Sequence, residues 1–117
     1  MAILTTLIGG AILAVVGYFV LKLTFKWVMN KLDDYFTKKD IDGAVMADID
    51  ALAGKCTNKR SYEVLKKARE KGYTHVMGKT SGGKMTGDIE LIKDESKTPD
   101  PEIEDLLGPE RMVIIDK

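Results

Sequence analysis

The pattern of hydrophobic and polar residues is most pronounced at the start of the chain, where residues 2–21 contain no charged side chain. In an α-helix these twenty residues rise by about 30 Å, the thickness of the hydrocarbon core of a bilayer. The run leads directly into Lys22 and not into a small-residue cleavage site, so we expect it to be retained as an anchor and not removed as a signal peptide. The pattern therefore predicts a single transmembrane helix.

The same segment has a second periodicity, in which apolar residues are separated alternately by three and four positions, as in a left-handed coiled coil. The positions are Leu4, Leu7, Ala11, Ala14, Tyr18, Leu21, Phe25, Val28, Leu32 and Tyr35. Beyond Leu21 the lysines fall outside this stripe, which predicts that the helix continues to Phe36 as an amphipathic helix. Its apolar face then needs a partner: another copy, another subunit, the membrane surface or the protein's own globular part.

Small residues within the predicted span favour contact with a second helix. Gly10 and Ala14 have small-xxx-small spacing, and Gly17 follows one turn later. Because packing drives helix association in lipid, such residues let another backbone approach closely, although glycine is also common in membrane helices in general. The predicted helix-packing interface consists of Gly10, Ala14, Gly17, Leu21, Phe25, Val28 and Leu32.

Residues 37–117 predict one small α+β domain, separate from the anchor and amphipathic extension of residues 1–36, because about 80 residues allow only one modest core. The predicted order of elements is α-α-β-β-α-β, with the helices on one face of a mostly antiparallel sheet. The first of these helices is either separate or the end of one rod that continues from the N-terminal helix. The corresponding segments are 41–52, 62–71, 73–77, 85–92, 102–107 and 112–115.

Charge is distributed unevenly, although the formal net charge is zero. Lysines follow the predicted span at positions 22, 26, 31, 38 and 39, and no charged side chain precedes it, so the positive-inside rule predicts an outside N-terminus and a cytoplasmic C-terminal domain. Residues 55–84 contain nine Lys and Arg against two Asp and Glu, whereas residues 88–110 contain nine acidic residues against two lysines. The two blocks either neutralise each other across the domain, or the basic block faces anionic lipid or an acidic partner.

A glycine-rich stretch at residues 78–84 matches the G-x-x-x-x-G-K pattern of a phosphate-binding loop. The match ends at Met85, where the motif needs a magnesium-binding Ser or Thr, and the residues that follow predict a strand and not the required helix. The stretch therefore predicts a hairpin turn centred on residues 81–83. Loose anion binding is the alternative, and it would use Lys79, Gly82, Gly83 and Lys84.

Other candidate chemistry is sparse. Cys56 is the only cysteine, which excludes an intramolecular disulfide and a cysteine-built metal site. His75 is the only histidine, and the sequence does not place it beside Cys56 or beside carboxylates. The basic block has few interleaved aromatic residues, so no nucleic-acid partner is expected. We predict no catalytic residue, no metal and no cofactor.

These features predict a non-enzymatic, single-pass protein of the cell membrane that acts as a structural or accessory subunit, or scaffold, of a membrane complex. Its expected partners are membrane lipid and either other transmembrane subunits or further copies of itself. One alternative is a filament or virion-type assembly subunit whose N-terminal helices bundle. Another is an anion- or nucleotide-responsive, membrane-anchored module that uses the loop at residues 78–84.

Overall fold

The computed structural model describes residues 12–117. This part of the chain contains five strands and four helices, which agrees with the predicted small α+β domain. In chain order they are β1 (Ala14–Leu21), α1 (Phe25–Phe36), β2 (Gly43–Asp48), α2 (Ile49–Ala53), α3 (Lys59–Glu70), β3 (His75–Ser81), β4 (Lys84–Asp94), α4 (Pro101–Leu107) and β5 (Met112–Asp116).

The strands form one mixed sheet in the order β1-β4-β3-β2-β5. The pairs β2–β3, β2–β5 and β3–β4 are antiparallel, and β1 pairs with β4 in parallel. The sheet is therefore mostly antiparallel, as predicted. Its central strands β2 and β3 are buried along most of their length, as expected for strands that are covered on both faces.

Helices cover both faces of this sheet. Leu65 of α3 packs in one hydrophobic cluster with Val45 of β2, whereas Val28 of α1 and Ile103 of α4 pack in another with Met46. Val45 and Met46 are neighbours in sequence, and they reach different clusters because the side chains of a strand alternate between its faces. The prediction that the helices lie on one face of the sheet is wrong.

The helix predicted over residues 2–21 is wrong for residues 14–21, which form the edge strand β1. Most residues of β1 are β-branched or aromatic, the types that suit a pleated surface, and β4 supplies main-chain partners along the whole strand. The residues before Ile12, including Gly10, lie outside the described residues. Within residues 12–117, no helix has both the length and the apolar character needed to cross a membrane.

The predicted amphipathic helix is present as α1, Phe25–Phe36. Its side chains Val28, Leu32 and Tyr35 are buried in the cluster between α1 and the sheet. Of the four possible partners for this apolar face, the structure therefore shows the protein's own globular part. As a result, the predicted domain boundary at residue 36 falls inside one continuous fold.

The helix predicted over residues 41–52 is also wrong, because Gly43–Asp48 form strand β2 and only Ile49–Ala53 are helical. Residues 44–47 are fully buried between β3 and β5. A short, fully buried strand is a continuous apolar run, and the spacing of such a run fits a helix equally well. The later elements α3, β3, β4, α4 and β5 lie within a few residues of their predicted positions.

Candidate functional site

The largest group of exposed apolar side chains in the described part of the chain lies along β1 and just before it. Ile12, Val16, Tyr18 and Val20 expose 51%, 58%, 60% and 53% of their surfaces. Single exposed apolar residues are common on proteins, but a contiguous group of them marks an interaction surface. β1 is therefore the first candidate for a functional surface.

Strand β1 is fixed on its helix-α3 side by two contacts. The N–H of Leu13 donates to the buried hydroxyl of Ser61 over 3.0 Å, which attaches the start of the strand to α3. The Tyr18 ring packs beside the Tyr73 ring with their centroids 5.6 Å apart. The exposed side chains thus project from an ordered strand, which lowers the entropy cost of binding to them.

An open groove of about 450 Å³ lies between Ile12 and α3. Ile12 forms one wall, and α3 forms the other with the basic side chains of Lys59, Arg60 and Lys67 and with Glu63 and Val64. None of the three basic side chains takes part in an ion pair within residues 12–117. The groove therefore combines an exposed apolar side chain with three cationic side chains and one carboxylate, that of Glu63, so its lining has an excess of positive charge.

The basic and acidic blocks of the sequence are not joined by an ion pair in the region that the structure describes. Arg69 of the basic block pairs over 2.6 Å with Asp50, which lies outside the acidic block. Glu90 of the acidic block pairs over 2.9 Å with Lys31 of α1. No ion pair thus joins the two blocks within residues 12–117, and the α3 side chains Lys59, Arg60 and Lys67 have no ion-pair partner there.

The seven residues of the predicted helix-packing interface do not share one helical face. They lie outside the described residues (Gly10), in β1 (Ala14, Gly17 and Leu21) and in α1 (Phe25, Val28 and Leu32). Val28 and Leu32 are 0% and 4% exposed, because the sheet of the same chain covers them. In this fold they are not available to another chain.

The glycine-rich loop forms the predicted hairpin turn between β3 and β4. Gly82 and Gly83 have φ angles of 60° and 75°, as in the type I′ turn typical of two-residue hairpins. The carboxylate of Asp42 accepts hydrogen bonds from the Thr80 hydroxyl over 2.6 Å and from the Gly83 N–H over 2.9 Å. These two bonds lower the pKa of Asp42 below its ordinary range. The Gly83 N–H, which was predicted as a possible donor to an external anion, therefore already donates to the Asp42 carboxylate.

The two lysines of the predicted anion-binding loop have different surroundings. The Lys79 ammonium lies 4.9 Å from the centre of the Tyr35 ring, while Lys84 is exposed at the turn. The Glu90 carboxylate accepts hydrogen bonds from the Tyr35 hydroxyl and from Lys31. Burial first, and the Glu90 carboxylate second, raise the pKa of Tyr35 above its ordinary value of 10. This polar group joins α1 to the sheet.

A second polar group lies at the end of the sheet where β2 ends and β3 begins. His75 is 9% exposed, and its Nε2 lies 3.3 Å from Oδ1 of its cross-strand neighbour Asp48. Its Nδ1 lies 2.7 Å from the Thr74 hydroxyl oxygen. Arg111 Nε donates to Asp48 over 2.8 Å, and the same guanidinium donates to Glu104 of α4. These side chains line a cavity of about 310 Å³.

Thr74, His75 and Asp48 have the residue types of a hydroxyl nucleophile, a base and an orienting acid. The Thr74 oxygen, however, also accepts the N–H of Asp94 over 3.1 Å and lies 3.2 Å from the carbonyl oxygen of Ile92. Burial lowers the pKa of His75 below 6.5 more strongly than the carboxylate of Asp48 raises it. The polar groups therefore form hydrogen bonds with one another and connect β2, β3, β4 and β5 at one end of the sheet.

The described residues offer no further cluster of ligating side chains. Within residues 12–117 every buried side-chain nitrogen and oxygen atom has a hydrogen-bond partner. Among the same residues no group of three or more His, Cys, Asp or Glu side chains is arranged to hold a metal ion. The single cysteine, Cys56, is half-buried, and burial raises the pKa of its thiol.

Comparison with known proteins finds no match for this chain. No protein-family model matches the chain, no curated protein matches its sequence, and no solved structure matches its fold.

Proposed function

We propose that the chain is a non-enzymatic accessory protein that attaches to the surface of a membrane containing anionic lipid and holds its α+β domain there for a partner. The groove at Ile12 carries this proposal, because an exposed apolar side chain is bordered there by Lys59, Arg60 and Lys67. Surface-binding proteins combine apolar side chains that enter the headgroup region with Lys and Arg that attract anionic lipid.

The uncharged sequence that precedes Ile12 supports the same partner. Residues 2–11 contain no charged side chain and continue directly to Ile12. The single-pass arrangement predicted from residues 2–21 would require residues 14–21 to be helical, whereas they pair with β4. Membrane lipid is therefore the proposed partner, and the domain would lie on the membrane surface. A cytoplasmic location agrees with this proposal, because anionic lipid is concentrated in the cytoplasmic leaflet.

The alternatives have less support from the contacts of the described residues. A filament whose N-terminal helices bundle needs a helical face that includes Val28 and Leu32, and both side chains lie in the core of the domain. An anion- or nucleotide-responsive module needs free amide groups in the loop, and the Gly83 N–H is bound to Asp42.

Vesicle flotation of the full chain tests the proposal. We expect the protein to float with vesicles of phosphatidylserine and phosphatidylcholine, and less with phosphatidylcholine alone. Lys59→Glu combined with Arg60→Glu should reduce flotation strongly, because the basic wall of the groove becomes acidic. Acidic residues are favourable in the first turn of a helix, which offsets their repulsion from Glu63 one turn later, and an unchanged circular dichroism spectrum checks that α3 is retained.

The matched control is Lys38→Glu combined with Lys39→Glu, which changes the net charge equally at two exposed positions away from the groove. We expect it to retain most of the binding. Equal losses of vesicle binding in the two double variants would show that binding depends on net charge and not on the groove. A full chain that fails to float with anionic vesicles would refute membrane attachment.

A further inference from the structure

Strand β1 has an open main-chain edge. Within residues 12–117 it pairs only with β4. The carbonyl oxygen of Leu21 accepts the N–H of Glu95 over 2.9 Å, so the main chain of Leu21 faces β4. Because successive residues of a strand direct their main-chain groups to opposite sides, the N–H and C=O groups of Val20 and Tyr18 point away from the sheet. Such groups are a template for another strand.

The C-terminal half of β1 lacks the features that protect natural edge strands. Residues 17–21 contain neither a charge nor a proline, and the register shift in the strand lies earlier, between Val15 and Gly17. The opposite edge of the sheet, β5, is only five residues long and ends in Asp116, followed by Lys117. Charge and short length are usual protections of an edge, so the two edges differ in their capacity to pair.

We propose that β1 pairs in antiparallel orientation with β1 of a second copy of this chain, with Phe19 at the two-fold axis. In this register Tyr18 lies opposite Val20 of the second copy, and both have outward main-chain groups that can exchange hydrogen bonds. An aromatic residue opposite a β-branched residue is a favourable cross-strand pair. Gly17 lies opposite Leu21, so no like charges face each other between residues 17 and 21. The contact is isologous and closes as a dimer.

The side chains that this pairing covers are among the most exposed apolar ones of the described structure. Tyr18 is 60% exposed and Val20 is 53% exposed. A ladder of five residues buries less surface than a standard protein interface, so the dimer depends on concentration. Attachment to a membrane would raise the local concentration, but the pairing does not require it, and it is tested in the absence of lipid vesicles.

Cysteine crosslinking of the full chain in nonionic detergent tests the register. In a Cys56→Ser background, a mixture of the Tyr18→Cys and Val20→Cys proteins should form a disulfide-linked dimer, because the two positions form a hydrogen-bonded pair with Cα atoms about 5.5 Å apart, a distance that a disulfide spans. Each protein alone should form much less, since the diagonal separation of identical positions is about 7–8 Å. Equal yields in all three samples, or no dimer in the mixture, would overturn the register.

The dimer itself is tested by measuring molar mass over a concentration series. The wild-type chain should approach twice the monomer mass as its concentration rises, and Val20→Lys should remain monomeric because it places charge on both sides of the ladder. Ile12→Lys is the matched control, since Ile12 is 51% exposed and lies outside β1. The proposal is refuted if the wild type stays monomeric throughout, or if Val20→Lys and Ile12→Lys behave alike.

The two proposals can fail separately. Val20→Lys should abolish the dimer and still float with anionic vesicles, because the groove at Ile12 is intact. Lys59→Glu with Arg60→Glu should stop floating and still form the dimer in detergent. A variant that loses both properties with an unchanged circular dichroism spectrum would show that the two surfaces are one, which contradicts the separate assignment of β1.

Discussion

Truncation of Leu32 provides the strongest test of the core that α1 shares with the sheet. Leu32 is 4% exposed and packs in the cluster that contains Val28 and Tyr35 of the same helix. Leu32→Ala removes three carbon atoms, worth about 0.8 kcal/mol each in transfer free energy, and leaves a cavity. Measured costs of such changes are about 2–5 kcal/mol, a large part of the roughly 5–15 kcal/mol that stabilises a typical domain.

Urea unfolding of the full chain, followed by circular dichroism, measures this loss. With m-values of about 1–3 kcal/mol per M, a cost of about 3 kcal/mol lowers the midpoint by about 1–3 M. Asn30→Ala is the matched control, because Asn30 is exposed on the same helix. A surface change of this kind is expected to alter the unfolding free energy by no more than about 0.5 kcal/mol.

The opposite result would restore the intermolecular role that the sequence predicts for this helix face. If Leu32→Ala unfolds at the same urea concentration as the wild type but releases a partner in crosslinking or copurification, Leu32 contacts another chain and not its own sheet. A midpoint that shifts equally in Leu32→Ala and Asn30→Ala would instead show that Leu32 is no more buried than Asn30, because alanine has the higher helix propensity in both exchanges.

Two further predictions concern the polar groups. Stability should fall as the pH drops below about 6.5, because burial lowers the pKa of His75 in the folded state and the unfolded chain therefore takes up the proton first. His75→Gln should flatten this part of the curve of unfolding midpoint against pH. An unchanged slope would contradict the role of His75 in this pH dependence. Gly83→Ala should cost about 1–2 kcal/mol, since its φ of 75° is unfavourable for a residue with a Cβ, whereas Lys84→Ala should stay within about 0.5 kcal/mol. Comparable losses in the two hairpin variants, measured by thermal unfolding, would contradict the turn geometry.

Local signals in the sequence were sufficient for the elements whose boundaries are marked by specific residue types. Asp100, Pro101 and Gly108 bracket α4 as predicted, because a side-chain cap, a fixed φ and a glycine end act within one or two turns of the chain. The β3–β4 hairpin follows from Gly82 and Gly83 for the same reason. The alternation of apolar and charged residues likewise determined that α1 is an amphipathic helix.

The sequence did not reveal the polar groups, because pairing and not sequence distance brings their members together. Asp48 and Arg111 are 63 positions apart and meet only because β5 lies beside β2. Glu90 comes under α1 because the register of β4 directs it to the same face as Ile92. The positions of ionisable residues along the sequence reveal neither of these two contacts. An ionisable residue that points inward also interrupts the hydropathy pattern of its strand.

Two assignments were decided by tertiary structure alone. An uncharged run is compatible with a membrane helix and with a strand, and residues 14–21 are a strand because β4 offers them main-chain partners, while the two hydrophobic clusters partly cover Val15, Phe19 and Leu21. Residues 43–48 are a strand because they are enclosed by β3 and β5. The sequence by itself determined which segments are apolar, where α4 and the β3–β4 turn lie and which face of α1 is apolar, since these depend on neighbours along the chain. Which apolar segment becomes a strand, and what covers it, depends on neighbours in space.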